Sequence, residues 1–235
     1  MPLPHPWIVC AAALLALSGS LAQAQSSPLC ASDGQPAPRT LTERFINADC
    51  SDCWQGDTPL PPHTAAVLDW VLPGQQGDDA PLSAVARREA LQRLQFLGER
   101  VPDTQSSRSG KVQGGRHRVR VAHGLVLNDY VGASLRFTSR ASLAEPLTGW
   151  LALVERLPAG TEGSPVPRVL VRNLLVEPIP ARATGNMGQL WRPMNVPPGA
   201  QPDRLGVVGW VSDARGRVLA VAQSRCAPSA PDTPP

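Results

Sequence analysis

The spacing of hydrophobic and polar residues predicts two strands and a helix before residue 104. Thr40–Ile46 alternates apolar and polar side chains, which predicts a strand that runs into the following Cys-Ser-Asp-Cys. Ala65–Leu72 is a short apolar run that ends before Pro-Gly, as is typical of a buried strand. Asp79–Pro81 opens a stretch in which apolar residues recur about every 3.6 positions, so this pattern predicts an amphipathic helix that ends at Gly98.

After residue 115 the hydrophobic pattern changes to a period of two, which predicts a series of short strands. The candidate strands are 117–127, 132–138, 149–157, 168–176, 188–192, 205–212 and 217–223. Asp213–Gly216 has the composition of a hairpin turn between the last two strands. This many short strands over about 110 residues indicates an antiparallel β-sandwich.

The two patterns divide the chain into an N-terminal region and a sandwich domain. The intervening stretch is polar and low in complexity, which predicts a linker between two domains. The last residues are rich in Pro and are expected to form a disordered tail. The predicted parts are a signal peptide at 1–24, the N-terminal region at 25–103, the linker at 104–115, the β-sandwich at 116–226 and the tail at 227–235.

The N-terminus has the features of a secretory signal peptide. The apolar run Trp7–Leu17 is followed by Leu21–Ala24, a small-x-small site, so we expect cleavage after Ala24. The run is about half as long as the ~20 residues that cross a bilayer, although an uncleaved anchor is the alternative. We therefore expect a periplasmic or secreted protein that does not interact with a membrane after cleavage.

Composition and charge narrow the classes of function. The 235 residues include 26 Pro and 20 Gly, which argues against a helical bundle and favours strands joined by turns. A net charge of +3 is too small to indicate nucleic-acid binding. The chain contains no Gly-x-Ser-x-Gly motif and no phosphate-binding loop. We accordingly expect no nucleic-acid partner and no cofactor.

Four cysteines remain after the signal peptide is removed: Cys30, Cys50, Cys53 and Cys226. An even number in an oxidising compartment favours disulfides over metal ligation, so no metal site is expected. Four cysteines allow three pairings. If Cys50 pairs with Cys53, then Cys30 must pair with Cys226 and tie the two ends of the folded chain together.

The segment from Glu43 to Cys53, a strand that leads directly into Cys-Ser-Asp-Cys, resembles a secreted bacterial family of unknown function. The run Ala65–Leu72, the Arg-rich helix and the strand ending Gly-Arg-Val-Leu-Ala also look like that family, of which this chain would be a divergent member. The resemblance implies an α+β fold in which a thioredoxin-like region of reduced size, at 25–103, precedes the antiparallel β-sandwich. It also implies a redox role for Cys50 and Cys53.

Two departures from this family bear on catalysis. Trp54 takes the place of the family's proline, and the prolines at 59, 61 and 62 leave room for a helix of one or two turns. Asp49 and Asp52 flank the cysteines, and their negative charge is expected to raise a thiol pKa and oppose activation.

Three functions remain open. In the first, the chain is an exported thiol–disulfide exchange protein in which Cys50 attacks and Cys53 resolves. In the second, it is a non-catalytic binding or scaffold protein of the periplasm with structural disulfides Cys50–Cys53 and Cys30–Cys226. In the third, Cys50 and Cys53 ligate a metal with His63 nearby. In each case the partner is expected to be an unknown periplasmic protein.

Three further residues are weaker candidates. His117 and His123 share one face of a predicted strand, and the sequence favours solvent exposure over a binding role for both. Asp69 lies within an apolar run and is either a strand-end acid that faces solvent or a buried carboxylate near the cysteine pair.

Overall fold

The computed structural model describes residues 30–56, 64–181 and 185–226. The predicted signal peptide and the Pro-rich tail lie outside the described residues, as do His63 and the three prolines after Trp54. The strands are β1 (Cys30–Ala31), β2 (Thr40–Asn47), β3 (Ala65–Leu72), β4 (Gln105–Lys111), β5 (His117–Leu127), β6 (Tyr130–Ser139), β7 (Leu147–Leu157), β8 (Arg168–Ile179), β9 (Gly185–Asn195), β10 (Leu205–Ser212), β11 (Val218–Gln223) and β12 (Arg225–Cys226). The α-helices are α1 (Ser51–Gln55) and α2 (Arg88–Leu97).

The described strands form two sheets. The five-stranded sheet has the order β12-β1-β5-β6-β9, and the seven-stranded sheet has the order β11-β10-β7-β8-β3-β2-β4. Most neighbours are antiparallel, but β2 and β3 are parallel over their whole length, and β3 is parallel to β8. The parallel pair is possible because α1 lies in the connection between β2 and β3.

The inner faces of the two sheets enclose the main hydrophobic core. Val121 and Leu135 from the five-stranded sheet belong to the same buried cluster as Leu153 and Val207 from the seven-stranded sheet. The sheets lie close together at Gly209, where an added Cβ would lie 2.4 Å from Val121 Cγ1. Burial of apolar area between the sheets therefore depends on the absence of a side chain at that position.

The outer face of the seven-stranded sheet is covered by α2. Trp70, Trp150 and Trp210 are fully buried beneath this helix, and Trp150 and Trp210 stack with ring centroids 5.6 Å apart. Arg93 of α2 enters the same layer and donates hydrogen bonds from Nε and Nη2 to the carboxylate of Glu43, both at 2.8 Å. The bidentate ion pair compensates both charges within an otherwise apolar layer.

The helix α2 begins later than the sequence predicted. It starts at Arg88 rather than near Pro81, because Ser83–Val85 form a short 3₁₀ turn and Ala86 is extended. It ends as predicted at Gly98, whose φ of 67° is in the left-handed region that glycine adopts without a steric penalty.

The predicted α+β fold class is wrong. The described residues form a mostly β structure of two sheets, and they contain no clear thioredoxin-like α/β region. The strands β2 and β3, which were expected in a thioredoxin-like region, lie in the same sheet as β7, β8, β10 and β11. They extend one side of a β-sandwich, because β3 pairs with β8 instead of completing a separate sheet.

Candidate functional site

The candidate site is the Cys50–Cys53 disulfide at the end of β2. Its two Cα atoms are 5.3 Å apart, and both residues are half-buried. Cys50 lies at the N-cap position of α1, and its backbone N–H donates to Asn47 O at 3.0 Å. The sequence placed a strand directly before this pair, and the structure shows that strand with α1 following it.

One hydrogen bond links the two cysteines in addition to the disulfide. The backbone N–H of Cys53 donates to Cys50 Sγ over a donor–acceptor distance of 3.3 Å. A backbone N–H directed at sulfur favours a negatively charged thiolate more than a neutral thiol. The same contact can therefore stabilise Cys50 as a thiolate when the disulfide opens.

The carboxylate of Asp49 is held by the backbone. Its Oδ2 accepts from the N–H of Gln75 at 2.7 Å, and its Oδ1 accepts from the N–H of Gln76 at 3.3 Å. Gly74 allows this approach, because an added Cβ would lie 2.0 Å from Asp49 Oδ1. The sequence predicts that the negative charge of Asp49 opposes thiolate formation. In the structure these two N–H donors partly compensate that charge. Asp52 is exposed to solvent.

Asp69 is a buried carboxylate, which decides between the two placements that the sequence left open. Its two oxygens accept hydrogen bonds from Arg44 Nε at 2.6 Å and Arg44 Nη2 at 2.7 Å. Its Oδ2 also accepts from the N–H of Val169 at 2.7 Å, and Arg168 Nη1 lies 3.8 Å from Oδ1. These donors hold the carboxylate in one orientation between β2 and β8.

Arg168, at the start of β8, connects Asp69 to the cysteine pair. Its Nη2 donates to Trp54 O at 2.6 Å and to Cys53 O at 3.3 Å. Its guanidinium carbon lies 4.8 Å from the centroid of the Trp54 ring, a cation–π contact. The pKa of Arg168 is lowered, chiefly by burial, although the negative charge of Asp69 acts in the opposite direction. Arg168 thus holds the carbonyl end of α1 in place.

The side chain of Trp54 also fixes this turn. Its ring is buried, and its indole N–H donates to Glu162 O at 2.7 Å. The apolar cluster around it includes Ile46, Val71 and Leu170, which come from β2, β3 and β8. The backbone that carries the cysteines is therefore fixed both by packing and by charge. Sequence reasoning missed Arg168 and Glu162, which lie more than 100 residues away along the chain.

The second disulfide, Cys30–Cys226, joins β1 and β12 in the five-stranded sheet. The two disulfides of the structure, Cys50–Cys53 and Cys30–Cys226, form one of the three pairings that the sequence allows. His123 of β5 lies beside Cys30 and is buried, so its expected solvent exposure is wrong; His117 is half-buried. Among the described residues, the cluster of three metal-ligating side chains is Cys30, His123 and Cys226, and it does not include Cys50 or Cys53.

Within the described ranges, no helix is long and apolar enough to cross a membrane. The two disulfides fit an exported protein, because disulfides persist in oxidising compartments.

Together the fold and the site define a β-sandwich protein with two disulfides, one of them joining cysteines separated by two residues. No protein-family model matches the chain, and no curated protein matches it. Among solved structures it is similar to HBP35 of Porphyromonas gingivalis, with a TM-score of 0.50 and 12% identity over 84% of this chain and 79% of that chain. This likeness concerns the fold alone, and the family suggested by the sequence is not confirmed.

Proposed function

We propose that this protein is exported to the periplasm and catalyses thiol–disulfide exchange through Cys50 and Cys53. The observation that carries the proposal is the contact from the Cys53 N–H to Cys50 Sγ at the start of α1. Reactive cysteines in proteins lie in partly exposed places where a donor or positive charge favours the thiolate. Cys50 is half-buried and has such a donor.

The exchange needs no external group beyond the partner's own disulfide. The Cys50 thiolate attacks one sulfur of a partner disulfide, which forms a mixed disulfide and releases one partner thiolate. Cys53, after losing its proton, then attacks Cys50 Sγ and releases the second partner thiolate. The partner disulfide gains two electrons and is reduced, and the Cys50–Cys53 pair loses these two electrons and is oxidised. The reverse sequence oxidises a partner dithiol.

The surroundings support this chemistry in two ways. Asp49 is bound to two backbone N–H groups, which reduces the repulsion it would exert on a thiolate. Arg168 and Trp54 hold the backbone of α1 through contacts that involve no sulfur atom, so they can persist in both redox states. The partner would be another exported protein that carries a disulfide or a dithiol.

A second function is supported by the same contacts that hold the backbone of α1. The bonds from Arg168 to Cys53 O and Trp54 O, and the buried Trp54 ring, also suit a permanent structural disulfide. In that case the protein is a non-catalytic periplasmic scaffold, and its sheets supply the surface for a partner.

A trapping experiment separates the two functions. The Cys53→Ser variant keeps the attacking thiol and lacks the resolving one, whereas Cys50→Ser is the matched control. On treatment with oxidised glutathione, we expect the folded Cys53→Ser protein to form a mixed disulfide at Cys50 faster than the same protein in urea. Mass spectrometry of the quenched reaction measures both rates. A folded protein that reacts more slowly than the unfolded one would contradict exchange and support the scaffold.

A further inference from the structure

The other disulfide lies next to a histidine that the proposed exchange does not use. Cys226, Cys30 and His123 occupy facing positions on the adjacent strands β12, β1 and β5. One ring nitrogen of His123 and the two Sγ atoms all lie within 4.8 Å of one another. Three of the commonest ligands for zinc are thus collected in one row across the sheet.

The hydrogen bonding of His123 leaves one nitrogen free for a ligand. Its Nδ1 lies 3.1 Å from Gly124 O, and since a carbonyl only accepts, Nδ1 carries the proton. His123 as a whole residue is 5% exposed, and among the described residues its Nε2 is buried without a hydrogen-bond partner. Leaving such an acceptor unpaired costs free energy, so a bound cation would satisfy it.

We propose that Cys30, His123 and Cys226 bind one thiophilic metal ion such as Zn²⁺ when the Cys30–Cys226 disulfide is reduced. The reductant is a dithiol, which becomes a disulfide as Cys30–Cys226 becomes two thiols. Metal binding then displaces one proton from each thiol, and the neutral imidazole contributes its lone pair. A disulfide, which takes up two electrons and becomes two thiolates, oxidises the two cysteine thiolates back to Cys30–Cys226 and so releases the ion. Metal binding and the Cys30–Cys226 disulfide therefore exclude each other.

The local structure suits such a site. A histidine that ligates a metal generally donates its other N–H to a backbone carbonyl or carboxylate, which is the arrangement at Gly124 O. Cys30 and His123 are buried, whereas Cys226 is exposed at the sheet edge, so an ion has access from solvent. Three protein ligands leave a fourth position for water or an exogenous ligand.

This proposal is independent of the exchange reaction, because it uses the other pair of cysteines. A Cys50→Ser/Cys53→Ser background removes that reaction and leaves one dithiol for each protein molecule. The purified protein in this background is reduced with a phosphine, which is itself converted to a phosphine oxide, and titrated with Co²⁺ as a spectroscopic probe for Zn²⁺. Circular dichroism checks that the reduced protein stays folded.

We expect one Co²⁺ per chain with a thiolate-to-cobalt charge-transfer band in the reduced protein, and no band after oxidation. Zn²⁺ should displace the cobalt. His123→Gln, which keeps both thiols, should weaken binding by at least about 100-fold, because loss of a group that only hydrogen-bonds to a ligand already costs about 10–100-fold. An NMR shift of the His123 ring on Zn²⁺ binding provides a readout that needs no substitution at position 123. Absence of the band in the folded, reduced protein would overturn the proposal. So would unchanged affinity in His123→Gln with an unshifted ring.

Discussion

The buried carboxylate of Asp69 gives the most direct test of how the cysteine turn, residues 50–54, is held in place. Asp69→Asn keeps the volume of the side chain and removes its charge. In the folded protein Asp69 is fully buried and pairs with Arg44, which is 5% exposed, and with Arg168, which is 1% exposed. Among the described residues, the variant therefore leaves two buried guanidinium groups with no carboxylate in contact.

Removing one partner of a buried ion pair costs about 3–5 kcal/mol, since the remaining charge is left uncompensated away from water. For a domain of this size each kcal/mol lowers the melting temperature by roughly 2–4 °C, so the expected decrease is on the order of 10 °C. We also expect faster reduction of Cys50–Cys53, because Arg168 would hold Cys53 O and Trp54 O less firmly.

Urea denaturation followed by tryptophan fluorescence measures the free energy of unfolding with both disulfides intact. The matched control is Asp33→Asn, which breaks the surface pair with Arg120 Nη2 at 2.6 Å, where the two side chains are 60% and 38% exposed. This control should lose at most about 1 kcal/mol. If Asp69→Asn loses no more than Asp33→Asn, the buried network does not support the cysteine turn as described.

Three further predictions concern stability. Gly74→Ala should lose about 1–3 kcal/mol in urea denaturation, because its Cβ would lie 2.0 Å from Asp49 Oδ1 and displace that carboxylate from its two donors; an unchanged midpoint would contradict this. Replacing Cys30–Cys226, whose residues are 196 apart, by two serines should cost about 5 kcal/mol in the chain-entropy model, against about 2 kcal/mol for Cys50–Cys53, three apart; the opposite order of midpoints would be inconsistent with that model. Burial raises the pKa of Asp213, but its hydrogen bonds from neighbouring backbone and arginine groups lower that pKa by more, so the net shift is downward from 3.8. Since the unfolded carboxyl binds its proton first as the pH falls, Asp213 stabilises the fold above pH 3.8 and loses this effect as the pH falls through its folded pKa. The free energy of unfolding of Asp213→Asn should therefore be lower than that of the parent at pH 7, and the difference should shrink in acid. A difference that does not change with pH would contradict stabilisation by the ionised Asp213 carboxylate.

Several strands could be predicted because their sequence pattern reflects burial on one or both faces. β3, β5 and β10 begin and end where the hydrophobic pattern placed them. β4 was missed, since Gln105–Lys111 is polar throughout and lies within the predicted linker at 104–115. It forms at the edge of the seven-stranded sheet through backbone pairing with β2, and such an edge needs little hydrophobicity.

The fold class could not be predicted from local patterns. Whether β2 and β3 form their own sheet or extend another depends on their neighbours, and β3 meets β8 about 100 residues further along the chain. The short spacing of Cys50 and Cys53 marked the candidate site in the sequence, and the acid at position 69 within an apolar run gave a partial signal. Arg168 gave none, because one arginine at the start of a strand resembles the many others in this chain.

The reduction potential of the Cys50–Cys53 pair tests the proposed exchange most directly. The protein is equilibrated with glutathione or dithiothreitol buffers of known potential and then alkylated, and mass spectrometry quantifies each cysteine pair separately. Thiol–disulfide exchange proteins have potentials between about −270 and −120 mV, and we predict a value in that range. A potential below about −300 mV, typical of structural disulfides in secreted proteins, would contradict the exchange function and favour the scaffold.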